Sequence, residues 1–318
     1  MSLNRSGEPR FGIHSIDHFA LEVPSLSEAE AFFSAFGLIA TRESNRISLR
    51  TANDLRPWGY CYEGTVKRLA YLSFACFEEE YLPLVQQVRG IPETQSAPGG
   101  PYVNAEGTWF HDVDGNLYQV RPGPKRTLME PAAGTSSPRP PGSRGTSARS
   151  LAPRVRPNRL SHVMLFTPDV GRAVRYYGQA LGLRMSDWSQ DIVAFTHGRH
   201  GSDHHLLAFV KSSARGWHHS SWDVASVDEV GLGAEQMRRA GYIEGWGTAR
   251  HVLGSNYFHY VRDPWGSFAE FSADIDFIPA GTEWSSMEYE PEDSLYLWGP
   301  EVPPYFVLNT EAPSAPAP

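Results

Sequence analysis

The feature that most constrains the fold of this chain is an internal repeat. The stretch SIDHFALEVPSLSEAEAFFSAFGLIA begins at residue 15, and RLSHVMLFTPDVGRAVRYYGQALGLRM begins at residue 159. Each contains a short strand with a His near its start, a turn with Pro, an amphipathic helix and a Gly-Leu stop. The halves also close alike, with HDVDGNLYQVRPG from residue 111 and RDPWGSFAEFSAD from residue 262. The sequence therefore predicts two copies of one strand-helix-strands module.

A segment rich in Pro, Gly and Ser separates the two copies. Between residues 121 and 158 the chain has eight Lys/Arg against one Glu and almost no aliphatic periodicity. Such a composition cannot bury enough apolar surface to offset its ordering entropy, so we expect a partly disordered linker, with a basic docking arm as the alternative. The predicted organisation, in chain order, is a disordered tail over 1–11, an N-terminal module without metal over 12–121, the linker over 122–158, a C-terminal catalytic module over 159–280, an extension or lid over 281–309 and a disordered tail over 310–318.

The composition argues against several classes of protein. A formal net charge of -8 disfavours a nucleic-acid partner, since binding phosphates calls for a basic face. The first residues lack the apolar core of a signal peptide, and no apolar run approaches the roughly 18 residues that span a bilayer. Cys61 and Cys76 are too few for a disulfide framework and lack the CxxC spacing. We therefore expect a globular protein of the cytoplasm with no nucleic-acid or membrane partner.

Aligned without a gap, the two copies differ in chemistry at equivalent positions. Asp112 aligns with Asp263, and Ser73 in LAYLSFACF aligns with Ser221 in WHHSSWDVA. Strand alternation in the latter segment predicts one face with Trp217, His219, Ser221 and Asp223 and the opposite face with His218, Ser220, Trp222 and Val224. Three equivalent inward positions then hold His18, Tyr71 and Gln119 in the first copy and His162, His219 and Glu270 in the second.

The second set has the composition of a metal site. Two imidazoles and one carboxylate form the facial triad whose open positions suit non-haem Fe(II) and oxygen chemistry. Taken singly, a Glu in a strand usually faces solvent, and a lone His is usually a hydrogen-bonded structural residue. A homologous copy that keeps the frame without these side chains indicates that His162, His219 and Glu270 serve chemistry rather than folding.

The motifs LSHVMLF, WHHSSWDV and YFHYVRDPWGSFAEF of the second copy resemble type I extradiol ring-cleaving dioxygenases of the vicinal oxygen chelate superfamily, the catechol 2,3-dioxygenase group. The resemblance covers both copies but not the first dozen residues, the linker or the Pro/Ala tail. It implies an α+β fold of two tandem domains, each a pair of βαβββ modules or one module-derived half-barrel with a mixed sheet. It also implies Fe(II) in the C-terminal barrel, with Mn(II) as the alternative, O2 as co-substrate, and a homo-oligomer, either dimer or tetramer.

The same resemblance assigns three residues around the metal. His205, in the context HLLAF, is implied as the acid/base that hydrogen-bonds oxygen, and His204 is the competitor if the strand register slips by one. His251 and Tyr260, nine residues apart ahead of the Asp-Pro-x-Gly turn, would hold the catechol oxygen. From its composition, the aromatic stretch after residue 283 would form a lid over the cavity, a packed extension that covers the barrel edges, or both. In the lid, Trp298, with Trp284 and Tyr305, is expected to contact the substrate.

The resemblance implies extradiol (meta) cleavage of a catechol, a small aromatic diol, to a ring-opened muconic semialdehyde-type product. A second metal-dependent possibility is a glyoxalase- or epimerase-like enzyme, although these commonly use four protein ligands. A third is a drug-binding protein of the same fold that needs no metal. The sequence leaves open which catechol is the substrate and on which side of the diol the ring is cut.

Overall fold

The N-terminal half folds as a strongly twisted mixed sheet with two helices. The computed structural model describes residues 9–130 and 140–313. The elements of this half are β1 (Ser15–Val23), α1 (Leu26–Phe36), β2 (Ile39–Glu43), β3 (Arg46–Arg50), β4 (Gly59–Glu63), β5 (Arg68–Cys76), α2 (Glu78–Arg89), β6 (Gln95–Ser96), β7 (Thr108–His111) and β8 (Leu117–Pro122). They form one eight-stranded sheet in the order β2-β3-β4-β1-β5-β8-β7-β6.

The C-terminal half repeats this topology and adds a few short elements. After a single 3₁₀ turn (Arg149–Leu151) it comprises β9 (Arg159–Thr167), α3 (Val170–Leu181), β10 (Leu183–Ser189), β11 (Val193–Gly198), β12 (Ser202–Asp203), β13 (Leu207–Lys211), β14 (Gly216–Asp223), α4 (Val227–Arg239), β15 (Gly245–Arg250), β16 (Tyr257–Arg262), β17 (Phe268–Ala273), β18 (Phe277–Ile278), β19 (Met287–Glu288) and α5 (Pro291–Ser294). The nine-stranded sheet runs β15-β16-β17-β14-β9-β13-β11-β10-β19, and β12 pairs with β18.

Each half is therefore itself a doubled unit. In the N-terminal half, β1-α1-β2-β3-β4 is followed by β5-α2-β6-β7-β8, and the C-terminal half matches it with β9 to β13 and β14 to β17. In each sheet the two units meet where their first strands pair, β1 with β5 and β9 with β14. The predicted α+β class is confirmed, and the arrangement is the pair of βαβββ modules in each domain.

Local signals in the sequence account for the main helices. Ser25 caps α1 by accepting a hydrogen bond from the Glu28 amide, and Asp169 does the same for α3 at the Arg172 amide. Both helices end at a glycine in the left-handed region, where a side chain would be strained. These ends correspond to the Gly-Leu stops read from the repeat.

The two halves are joined through packed helices and buried side chains. Helix α1 packs on α4, and α2 packs on α3. The ring of Phe36 in α1 stacks on Phe271 in β17, with centroids 3.8 Å apart and planes within 9°. Tyr177 of α3 donates a 2.8 Å hydrogen bond to the buried Asp112 carboxylate. The N-terminal half therefore supports β17 from behind.

Parts of the predicted linker and tails lie outside the described residues, namely 1–8, 131–139 and 314–318. The described ends of the linker make specific contacts. The Arg126 guanidinium lies 3.4 Å from the Trp58 ring centroid and donates to Asp54. The backbone amide of buried Val155 donates to Gln236 Oε1. The predicted domain limits stay predictions.

Within residues 9–130 and 140–313, no helix is long and apolar enough to cross a membrane.

Replacing Phe36 with Ala should destabilise the whole protein, because the side chain is fully buried at the junction of the halves. We expect the free energy of unfolding, measured by urea denaturation, to fall by about 3–5 kcal/mol. Leu55→Ala is the control, since Leu55 is 86% exposed and its truncation should change stability by less than about 0.5 kcal/mol. Equal effects of the two variants would contradict the packing described here.

Candidate metal centre and active site

The candidate ligands come from adjacent strands whose register brings them into one row. In the C-terminal sheet, Ser221 of β14 pairs with His162 of β9 on one side and with Glu270 of β17 on the other. Glu270 in turn pairs with Tyr260 of β16. His219 lies two residues before Ser221 on β14, so it shares the same face. The sheet thus gathers His162, His219 and Glu270 on one surface.

The N-terminal sheet has the same row with different side chains. Ser73 pairs with His18 and with Gln119, and Gln119 pairs with Trp109. The gapless alignment of Ser73 with Ser221 and of Gln119 with Glu270 is thereby confirmed.

The three candidate ligand atoms converge on one point. The Nε2 atoms of His162 and His219 are 3.3 Å apart, and each lies near Glu270 Oε2, at 3.3 Å and 3.6 Å respectively. All three side chains are at most 2% exposed. Glu270 Oε2 has no hydrogen-bond partner although it is buried. An unpaired buried carboxylate oxygen is costly, and a divalent cation between these atoms would remove the cost.

The equivalent groups of the N-terminal half are already satisfied. His18 Nε2 lies 3.1 Å from the Tyr71 hydroxyl, and Ser73 donates to Gln119 Oε1 at 2.8 Å. The Gln119 amide nitrogen donates to Asn104. The polar groups of this row therefore find hydrogen-bond partners among protein side chains, which separates the chemistry of the two halves.

Hydrogen bonds to the other ring nitrogens fix how His162 and His219 point. Ser161 donates to Asp203 Oδ2 at 2.7 Å, so its oxygen can accept from His162 Nδ1, 3.3 Å away, and His162 Nε2 faces Glu270. His219 Nδ1 lies 2.7 Å from His218 Nδ1. Burial lowers the pKa of His219 well below its ordinary value and that of His218 to about 3. The His219 ring is therefore neutral, as metal ligation through Nε2 requires.

Simple strand alternation was wrong for part of β14. The pairing of β14 with β9 shifts register between Trp217 and His219. Because this irregularity inserts a residue, Trp217 packs in the core with Trp222, whereas His218 lines the active-site cavity beside His219. The predicted face is therefore retained at His219 and Ser221 but lost at Trp217.

The structure places His205 at the cavity and turns His204 away from it. The His205 ring lies 3.9 Å from that of His162, centroid to centroid, and lines the cavity. Nε2 of His204 is instead 2.7 Å from Asp187 Oδ2, and the two His Nδ1 atoms are 3.0 Å apart. Burial, followed by the charge of neighbouring His162, lowers the pKa of His205 well below its ordinary value.

His251 and Tyr260 form a pair on the opposite side of Glu270. His251 Nδ1 lies 2.7 Å from the Leu295 carbonyl oxygen, which can only accept, so this nitrogen carries the proton. His251 Nε2 then accepts from the Tyr260 hydroxyl at 3.0 Å. Burial lowers the pKa of His251 and raises that of Tyr260 well above its ordinary value, so both are neutral.

A cavity of about 150 Å³ adjoins these groups and is walled mainly by apolar side chains. Its apolar walls come from the sheet and from the C-terminal extension, and include Met164, Phe195, Val210, Leu253, Leu295 and Phe306. The predicted contact residue Trp298 is not among the lining residues; it is 45% exposed, and its ring lies beside Tyr257. Trp284 and Tyr305 also point elsewhere, donating to the Ser186 and Gly245 carbonyls.

His218 and Asn256 are among the lining residues that reasoning from the sequence missed. His218 was assigned to the wrong face because a bulge leaves no mark on an alternating pattern. Asn256 is completely buried and donates to Glu270 Oε1 at 3.1 Å. It lies in the turn between β15 and β16, where periodicity carries no information. The polar stretch GSN between His251 and Tyr260 was the available signal.

Comparison with known proteins gives a consistent result. The model of the Glyoxalase/Bleomycin resistance protein/Dioxygenase superfamily matches residues 159–271. Metapyrocatechase 2 of Cupriavidus necator is 56% identical over 307 residues, which is 96% of this chain and 95% of that protein.

Solved structures share the fold at lower identity. The Mn(II)-bound glyoxalase from Novosphingobium aromaticivorans superposes with a TM-score of 0.73 at 21% identity, over 92% of this chain and 94% of that one. BphC, a halotolerant catechol dioxygenase, gives 0.71 at 20% identity, over 91% and 94%.

Glu270→Gln should abolish stoichiometric metal binding and leave the fold intact, since the N-terminal half accommodates Gln at the same position of its sheet. The test is metal content after Fe(II) loading and desalting, with circular dichroism as the check on folding. Gln119→Ala is the matched control and should retain the metal. A Glu270→Gln protein with a full metal complement and full activity would rule out the triad.

Proposed function

The chain belongs to the metapyrocatechase family of extradiol dioxygenases, and from its site we propose that it opens the ring of a catechol next to the two hydroxylated carbons, using a divalent metal and O2. The observation that carries the proposal is the buried Glu270 Oε2, which lacks a hydrogen-bond partner and faces two imidazoles beside an apolar cavity. A ring-opened muconic semialdehyde-type product is the expected outcome.

We propose that His162, His219 and Glu270 hold the metal, and that it is Fe(II) rather than Mn(II). Two imidazoles and one carboxylate are the donor set of non-haem Fe(II) oxygenases, which leave three positions open. When bound, the metal would supply Lewis-acid chemistry that lowers the pKa of the catechol hydroxyls and would activate O2. The single carboxylate of Glu270 then offsets half of the metal charge.

His251 and Tyr260 would receive the catechol on the Glu270 side of the site. The unprotonated His251 Nε2 accepts from Tyr260 and lies 3.9 Å from Glu270 Oε1. A catechol oxygen placed here can accept a hydrogen bond from the Tyr260 hydroxyl while His251 takes up a proton that the substrate releases. Because burial keeps His251 neutral in the resting protein, it has the capacity to act as this base.

His205 would act beside His162. Its ring is held by His204, which is itself anchored on the Asp187 carboxylate. Since the site excludes most water, a neutral imidazole here is a hydrogen-bond and proton partner for oxygen as the ring is attacked. The phenyl ring of Phe195, 4.8 Å away, covers the remaining face of His205.

We further propose a single-ring catechol as the substrate. A cavity of about 150 Å³ is of the size that accommodates one benzene ring. Leu295 and Phe306 of the C-terminal extension close it, and Phe306 is only 5% exposed. A second fused or linked ring would require these side chains to move.

A homo-oligomer, either dimer or tetramer, and a cytoplasmic location are also proposals, and both come from the sequence.

Oxygen uptake separates this function from its rivals. The Fe(II)-loaded protein should consume one O2 per catechol, with both oxygen atoms recovered in the product when ¹⁸O2 is supplied. A glyoxalase- or epimerase-like enzyme would convert its substrate without O2, and a drug-binding protein would consume neither. Binding of catechol without oxygen uptake by the metal-loaded protein would overturn the proposal.

His205→Phe should retain iron and bind catechol but lose turnover by about 10²- to 10⁴-fold, the range supplied by an acid/base group. The measurements are iron content, catechol affinity under anaerobic conditions, and kcat. His259→Phe is the matched control, because His259 lies in β16 of the same half and does not line the cavity. If His205→Phe is fully active and His204→Phe is nearly inactive, the acid/base role belongs to His204 and not to His205.

The wild-type protein should process catechol with at least about tenfold higher kcat/KM than 2,3-dihydroxybiphenyl, since a clash worth 1.4 kcal/mol already gives that ratio. Steady-state oxygen uptake on both substrates provides the comparison. Ile192 lies at the mouth of the cavity and is 40% exposed, so Ile192→Ala should raise activity on the larger diol more than on catechol. A wild-type preference for the biphenyl would reject the single-ring proposal.

A further inference from the structure

Asn256 is a buried polar residue of the cavity to which the proposed reaction assigns no role. Its side chain is fully buried in the turn between His251 and Tyr257, and it lines the cavity. The amide nitrogen makes two hydrogen bonds, to Glu270 Oε1 at 3.1 Å and to Ser272 Oγ at 2.9 Å. The amide oxygen has no partner among the described residues.

Only one orientation of this amide is compatible with its surroundings. An NH₂ group has two donors, and Glu270 Oε1 and Ser272 Oγ both have acceptor capacity. Rotating the amide by 180° would place its oxygen against the Glu270 carboxylate, where two acceptors repel. The nitrogen therefore faces Glu270, and the oxygen Oδ1 is the atom left available at the cavity.

The surrounding turn holds Asn256 firmly in place. The His251 amide donates to the Asn256 carbonyl at 2.9 Å, so the two residues are tied through the backbone. Gly254 lies between them with a φ of +89°, and a Cβ there would come within 3.4 Å of Asn256 Oδ1 and within 3.3 Å of the His205 ring. The turn thus passes close to both His205 and Glu270 because it carries glycine at this point.

We propose that Asn256 is a positioning residue that makes Glu270 a one-oxygen ligand. Its amide occupies Oε1, and Oε2 is left free toward His162 and His219. The number of oxygens that Glu270 contributes decides how many coordination positions a bound metal would keep open. Two imidazoles and one carboxylate oxygen leave three of six positions open, enough for both catechol oxygens and O2, whereas a carboxylate that bound through both oxygens would leave two.

This inference rests on Glu270 being a metal ligand, and its test uses Mn(II) alone as the probe. The apoprotein is titrated with Mn(II), and free Mn(II) is counted by electron paramagnetic resonance. Asn256→Ala should bind Mn(II) about 10- to 100-fold more weakly than wild type, the usual cost of losing a partner that orients a ligand. Asn256→Leu fills the same space with an apolar group and is the second arm if the Ala variant does not fold.

Ser272→Ala is the matched control. It removes the other partner of the Asn256 amide but leaves the bond to Glu270, so its Mn(II) affinity should stay within about threefold of wild type, and unfolding curves report any general loss of stability. Folded Asn256 variants that bind Mn(II) as tightly as wild type would overturn the inference. If Glu270→Gln also binds normally, the triad itself fails; if only Asn256 is without effect, the triad stands and the positioning role does not.

Discussion

The register of β14 between β9 and β17 is the constraint on which the candidate site depends. Pairing Ser221 with both His162 and Glu270 puts groups that are 108 positions apart in the sequence into one row of a sheet. A slip of one residue in either ladder would turn the affected side chains to the opposite face, toward the core and away from the cavity. The N-terminal half carries the same register with unreactive side chains, so the pairing belongs to the fold, and the chemistry belongs to a few substitutions on it.

The electrostatics of the row explain why only one half is suited to a metal. In the N-terminal half each polar atom of the row finds a partner, whereas in the C-terminal half Glu270 Oε2 is buried without one. Burying an unpaired carboxylate oxygen costs several kcal/mol in free energy, roughly 2–7 for a polar group and more for a charge. Burial also lowers the pKa of His219, so this imidazole is neutral and supplies no positive charge to compensate the carboxylate. A cation is the partner that the arrangement lacks.

Much of this arrangement could be predicted because the repeat is gapless at the strands that matter. Comparing the equivalent inward positions of the two copies pointed to His162, His219 and Glu270. The candidate ligand atoms of these residues lie within 4.8 Å of one another in the structure. The spacing of His251 and Tyr260 likewise led to a pair in hydrogen-bond contact. The predictions from the sequence failed where the regular alternation of side chains along the strands is interrupted. A bulge displaced Trp217 and His218, a turn concealed Asn256, and the fold of the C-terminal extension, which depends on contacts distant in sequence, left Trp298 at the surface.

The C-terminal extension forms one wall of the cavity, whereas the candidate ligands lie on strands of the sheet. Phe306 packs against His218 and Tyr260, and the chain beyond it is fastened by Asn309 to the carbonyls of residues 214 and 215. Glu311 then accepts from the Trp217 amide, two residues before His219, and from Lys67 of the N-terminal half. The segment that limits the size of the cavity is thus anchored on the strand that carries a candidate ligand, but it contributes no ligand itself. Since the candidate metal ligands lie in the repeat and one wall of the cavity lies outside it, changes in the extension can alter the shape of the cavity without altering the candidate ligands.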